Sequence, residues 1–133
     1  MITAYFDGGS RGNPGLAGWG AYIVADDGTA LAELSGALGV ATNNVAEYTG
    51  LIAALQWAVD HDLTALAVKG DSLLIVEQMR GNYKVKNEGL KPLHMKARML
   101  VMQIGNVSFA HVPRDQNQDA DRLSNIGMDA NGG

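Results

Sequence analysis

The sequence predicts an α/β domain: a five-stranded mixed sheet flanked by helices, in the order β-β-β-α-β-α-α-β-α. Three observations predict it. The first forty or so residues hold short apolar runs split by Gly, Asp and Asn turns, as hairpin-linked antiparallel strands do. From Val45 onward, long stretches carry apolar residues at helical spacing. Two short apolar runs lie between those stretches, and a helical crossover returns such a run parallel to its neighbour.

The first strand spans roughly Ile2–Gly9, with Ile2, Ala4, Tyr5 and Phe6 leading into Asp7. The cluster Gly8-Gly9-Ser10-Arg11-Gly12-Asn13-Pro14-Gly15 then reads as a turn. Ala17–Ala25 is a second strand, Asp26-Asp27-Gly28 a hairpin signal, and Thr29–Leu38 a third strand. A long helix follows to about Asp60, with Val45, Tyr48, Leu51, Ile52, Leu55 and Val59 on one side. Asn44 is its expected N-cap, and Glu47 stands three residues later, as in a capping box. Leu63–Gly70 fits a buried strand ending at Asp71-Ser72, and Leu73–Met79 is helical, with Asp71 a candidate N-cap. After the polar, basic connection Gly81–Gly89, a helix covers Leu90–Ile104 and Gly105-Asn106 ends it. Val107–Val112 is the last strand, stopped by Pro113. A polar loop from Arg114 leads into a final helix over about Asn117–Ile126, with Gly127 as C-cap. The domain is expected to occupy residues 1–127, leaving 128–133 as a flexible tail.

A chain of 133 residues with 47% hydrophobic content suits one globular domain with a real core. No stretch reads as a membrane span or a secretion signal. With no cysteine, disulfides and thiolate metal sites are excluded, and a cytoplasmic protein is expected. The net charge of −4 argues against a generic nucleic-acid binder. Its distribution says otherwise, because six of the ten Lys and Arg fall between Arg80 and Arg98. A locally basic segment suits phosphate contact, and equally a solvated helix face.

The acidic positions carry the chemistry. Asp7, Glu47 and Asp71 sit at element boundaries, and the ends of parallel neighbouring strands bring Asp7 and Asp71 together. Each has a plain structural reading, as a turn carboxylate or a helix cap. Gathered together they repel, and a cation relieves that repulsion. All-oxygen ligands suit Mg²⁺ or Mn²⁺ rather than zinc, and a pair of such ions serves phosphodiester cleavage. The glycine cluster matches neither G-x-G-x-x-G nor a P-loop, and no Ser or Cys nucleophile has a base partner.

Four stretches resemble ribonuclease H type 1: Asp7 to Gly15, Thr42-Asn43-Asn44-Val45-Ala46-Glu47, Gly70-Asp71-Ser72, and His111-Val112-Pro113-Arg114 through Asn117 to Ala120-Asp121. They occur in the family's order, and the resemblance spans nearly the whole chain. It implies a ribonuclease H-like fold. It also implies an endonuclease that cleaves the RNA strand of RNA/DNA hybrids with two Mg²⁺ ions, leaving 5′-phosphate and 3′-hydroxyl ends. Mn²⁺ is a possible substitute. By the same resemblance Asp7 bridges both ions, Glu47 and Asp71 hold the ion on the leaving-group side, and Asp121 holds the ion on the water side. Gly12, Asn13, Asn43 and Asn44 match positions that contact RNA, and Thr42 a position that holds a DNA phosphate.

The sequence departs from many bacterial members in two respects. Arg80–Leu90 is too short for their basic protrusion, which places the chain with the compact, archaeal-like branch. Hybrid binding then leans on Lys84 and Lys86. The second departure concerns a mobile catalytic histidine. His111 falls on a strand ended by Pro113, so Arg114 is favoured for assisting proton transfer or product release. The expected partner is the hybrid, with double-stranded RNA as a possible second duplex, no membrane, and a monomeric protein. A non-catalytic hybrid-binding module of the same fold is the alternative.

Overall fold

The computed structural model describes residues 1–132. Five strands, β1 (Thr3–Arg11), β2 (Gly15–Val24), β3 (Ala30–Ala41), β4 (Ala65–Gly70) and β5 (Asn106–His111), form one sheet in the order β3-β2-β1-β4-β5. The β1–β2 and β2–β3 pairs are antiparallel, and β1–β4 and β4–β5 are parallel. Four helices complete the fold: α1 (Asn43–Asp60), α2 (Leu73–Met79), α3 (Lys91–Ile104) and α4 (Gln118–Asp129). The element order and the mixed sheet are those expected from the sequence.

Successive residues of β1 face opposite sides of the sheet. Ala4 and Phe6 are fully buried in the main core with Leu51, Leu55, Ile75 and Leu100, contributed by α1, α2 and α3. Gly8 continues that face, and a Cβ there would overlap the backbone of Ala46 and Glu47. The missing side chain is what lets the first turn of α1 rest directly on β1. Gly9 faces the other way, toward the Met128 side chain of α4. Gly18 and Gly20 of β2 likewise meet α4 backbone where a Cβ would stand. Small residues thus bring a helix close on both sides of the strand that carries Asp7.

Several boundaries differ from expectation. β3 runs on to Ala41 and feeds straight into α1, so Thr42, not Asn44, is the N-cap, its Oγ1 accepting from Val45 N–H at 3.3 Å. Asp71 is not the cap of α2 either. Ser72 takes that place, accepting from Ile75 N–H. Gly127 does not end the last helix, because α4 continues to Asp129. Its glycine is required by packing: a Cβ would strike the Gly36 carbonyl. The expected loose tail is therefore structured as far as described. Met128 is buried and Asn131 hydrogen-bonds to β2 and β3, while Gly133 lies outside the described residues.

Candidate active site

Phe6 pairs with Gly70 across the parallel β1–β4 ladder. The next residues, Asp7 within β1 and Asp71 just past the end of β4, therefore stand side by side. The close approach of α1 at Gly8 adds Glu47 from the first turn of that helix. Asp7, Glu47 and Asp71 each offer a carboxylate oxygen within 4.8 Å of the others. Asp121, from the first turn of α4, and Arg114, from a short 3-10 turn after β5, line the same cleft of about 290 Å³. Gly8, Gly9, Ser10, Asn43, Ser124, Asn125 and Met128 complete its walls.

The electrostatics follow from this crowding. Burial lifts the Asp7 carboxyl to about 7, and the charges of Asp71 and Asp121 add to the effect, opposed by the Gly8 N–H that Asp7 Oδ1 accepts at 2.8 Å. Burial, with the charges of Asp7 and Asp71, pushes Glu47 to about 9, while Arg114 pulls the other way. Glu47 Oε2 is buried and has no hydrogen-bond partner among the described residues. An orphaned carboxylate oxygen beside two further carboxylates is a poor cap and a good cation ligand. The set is oxygen-only and fits Mg²⁺ or Mn²⁺.

Among the other residues singled out from sequence, Asn43 and Asn13 join the rim. Asn43 Oδ1 accepts from Ser10 N–H at 2.8 Å, and Asn43 N–H donates to Asn13 Oδ1 at 3.1 Å. This ties the exposed Gly12–Asn13 turn, where Gly12 has φ 94°, to the start of α1. Thr42 and Asn44 open instead onto a neighbouring cleft of about 330 Å³, shared with Asn13 and Asn87. Lys84 and Lys86 are exposed and do not reach the carboxylates. Lys84 lines a separate groove with Tyr83, Lys91 and Arg98. His111 ends β5 as expected, its Nε2 3.2 Å from the Asp71 carbonyl oxygen.

Ser124, Asn125 and Met128 of the cleft walls escaped the sequence reading as site components, and so did Asn87 and Asn117. Asn87 joins the Thr42 cleft only because the 81–90 connection folds back toward α1. Asn117 is 2% exposed, and its Nδ2 donates to the Phe6 carbonyl at 3.0 Å. It fastens the loop of Arg114 and the start of α4 to the strand just before Asp7. Its signal was a lone asparagine between a polar loop and an amphipathic helix, where a cap is the ordinary reading.

A family described as reverse transcriptase-like matches residues 5–127. The RNase H1 of the halophilic archaeon Halobacterium salinarum superposes with a TM-score of 0.91 at 42% identity, covering 96% of this chain and 97% of that one. The chain belongs to the ribonuclease H family. Within it, the bifunctional protein Rv2228c of Mycobacterium tuberculosis is 54% identical over 125 residues, 93% of this chain. The N-terminal RNase H domain of that protein superposes with a TM-score of 0.94 at 51% identity, covering 97% of this chain and 94% of that one. This ribonuclease H domain spans about a third (34%) of the length of Rv2228c. LC11-RNase H1, solved in complex with an RNA/DNA hybrid, is 43% identical with a TM-score of 0.92, covering 97% of both chains.

Proposed function

We propose that this domain is an endoribonuclease that hydrolyses the RNA strand of RNA/DNA hybrids at the Asp7–Glu47–Asp71–Asp121 cleft. The carrying observation is the convergence of these four carboxylates from β1, α1, the end of β4 and α4. The likeness to LC11-RNase H1, solved with a hybrid, supports the choice of substrate.

Asp7, at the centre of the cluster, would hold two divalent ions, Mg²⁺ for choice and Mn²⁺ as a substitute. Glu47 and Asp71 would complete the site on the leaving-group side, and Asp121 on the side of the attacking water. Ions held there supply Lewis-acid stabilisation of the scissile phosphate and activation of water. The chain's own groups do the rest. Burial and the neighbouring carboxylates favour the protonated forms of Asp7 and Glu47, and divalent cations held there would favour the ionised ones. Arg114 balances Glu47 and assists proton transfer or product release at the leaving oxygen. Gly12, Asn13, Asn43 and Asn44 face the RNA strand, where backbone and amide groups can read the 2′-hydroxyl. Thr42 takes a DNA phosphate, and Lys84 and Lys86 add charge along the duplex. The products carry 5′-phosphate and 3′-hydroxyl ends.

The domain acts as a monomer in the cytoplasm, a compartment that suits a chain without cysteines. No described helix is long and apolar enough to cross a membrane. A panel of labelled hybrid, double-stranded RNA and double-stranded DNA, each in Mg²⁺ and in Mn²⁺, tests the reading. Cleavage of the hybrid and not of duplex DNA is expected, and cutting of double-stranded RNA marks a second substrate. A hybrid that binds and stays intact in both metals identifies a non-catalytic module instead.

A further inference from the structure

β3 carries one extra residue opposite β2: Ala17 pairs with Gly39, whereas Gly18 pairs with Ala37. A bulge of this kind disrupts the ladder and leaves backbone groups without their usual partners. The side chain of Asn131 fills the gap. Its Oδ1 accepts from Gly39 N–H at 2.8 Å, and its Nδ2 donates to the Ala17 carbonyl at 2.8 Å. The carboxamide thus stands in for a peptide group. The same Nδ2 donates to the Met128 carbonyl at 2.9 Å, which also accepts the Asn131 N–H at 3.3 Å at the end of α4.

What this clamp holds is the root of the substrate-facing rim. From Gly39, β3 runs three residues to Thr42 and then into Asn43. From Ala17, β2 runs back to the turn that carries Gly12 and Asn13. Asn43 ties the two branches together through Ser10 and Asn13. Met128, just before the clamp, rests on Gly9 and lines the cleft beside Asn43. The neighbouring Arg11–Asp129 ion pair is largely exposed and contributes little rigidity of its own.

We propose that Asn131 is a positioning residue for substrate binding: it locks the β3 bulge and the end of α4, and so places Asn13, Thr42 and Asn43 without touching substrate. The inference rests on the hybrid reading above. It separates Asn131 from the carboxylates, since its effect falls on binding and not on the chemical step.

The test compares wild type, Asn131→Ala, Asn131→Asp and Ile126→Ala, the last a control on an exposed face of α4. Steady-state cleavage of a labelled hybrid gives kcat and KM, fluorescence anisotropy in chelator gives Kd, and thermal melting reports folding. Asn131→Ala should raise KM and Kd roughly 3- to 10-fold with kcat within about twofold, as loss of buried hydrogen bonds acting on ground-state binding predicts. Asn131→Asp keeps the acceptor for Gly39 but turns a carboxylate oxygen onto the Ala17 and Met128 carbonyls, so KM and Kd should rise at least as far as in the alanine variant. It also carries the comparison if the alanine variant does not fold. Ile126→Ala should match wild type. A folded Asn131 variant with unchanged KM and Kd, or a fall in kcat at constant KM, overturns the inference. A wild-type protein that neither binds nor cleaves the hybrid instead overturns the functional reading, a result distinct from both.

Discussion

Replacing Asp7 by asparagine should inactivate the domain and, without divalent cations, make it more stable. The exchange keeps the shape and removes one negative charge from a buried cluster. Asp7 is lifted from an ordinary 3.8 to about 7, chiefly by burial and then by Asp71. About three pH units at about 1.4 kcal/mol each set a ceiling of about 4 kcal/mol on what its ionisation costs the native state. The native acid holds a proton that the unfolded chain has released. The penalty is therefore absent below about pH 4, grows as pH rises to about 7, and stays level above. The buried amide carries a desolvation cost of its own, which reduces the expected gain at pH 8 to roughly 1–3 kcal/mol. That corresponds to a rise in Tm of about 3–10 °C for a domain of this size. Melting of both proteins in chelator at pH 4 and pH 8, beside hybrid cleavage in Mg²⁺, makes the comparison. The variant should melt slightly below wild type at pH 4, where only the cost of the amide counts, and above it at pH 8, and its cleavage rate should fall by a factor on the order of 10³ or more. Added Mg²⁺ should stabilise wild type more than the variant. An Asp7→Asn protein that is less stable at pH 8 in chelator would show that the Asp7 charge does not strain the cluster, and one that keeps its activity that Asp7 is not catalytic.

Gly8→Ala should cost about 1–3 kcal/mol or more, because the new methyl strikes Ala46 and Glu47 backbone, and activity should fall further than stability as Glu47 leaves the cluster; melting and cleavage assays measure both. Arg114→Ala should lower kcat by about tenfold or more while His111→Ala has the smaller effect, since Arg114 lines the cleft and acts on Glu47 whereas His111 ends a strand; equal losses would count against the assignment. The double variant Lys84→Ala/Lys86→Ala should weaken hybrid binding and flatten its salt dependence by about one to two counterions, with kcat nearly unchanged, as a titration of Kd against salt would report.

Much of this site was legible because its logic is topological. The strand that carries Asp7, and a second that ends just before Asp71, become neighbours as soon as the crossover is right-handed and parallel. The basic segment and the strand placement of His111 were also open to inspection. Cap register was not. Thr42, Asn43 and Asn44 are all good caps by type, and only the extra length of β3 selects Thr42. Asp71 and Ser72 posed the same ambiguity. Gly127 read as a stop signal because packing glycines and terminating glycines look alike in one dimension. It is small to clear the Gly36 carbonyl, and α4 runs past it. Asn87 and Asn131 were out of reach for a further reason: Asn87 shares a cleft with Thr42, and Asn131 bonds to Ala17 and Gly39, all far away in the chain, and neither asparagine stands in a patterned segment.

If the four carboxylates form a hydrolytic centre and not a set of caps, RNA cleavage requires the divalent cation and leaves defined ends. Analysis of product ends from an end-labelled RNA/DNA hybrid, with Mg²⁺ and with chelator, tests it most directly. Internal cuts in the RNA strand alone, bearing 5′-phosphate and 3′-hydroxyl ends, are expected in Mg²⁺ and none in chelator. Intact RNA in Mg²⁺, or cuts ending in 2′,3′-cyclic phosphate that persist in chelator, would contradict such a centre.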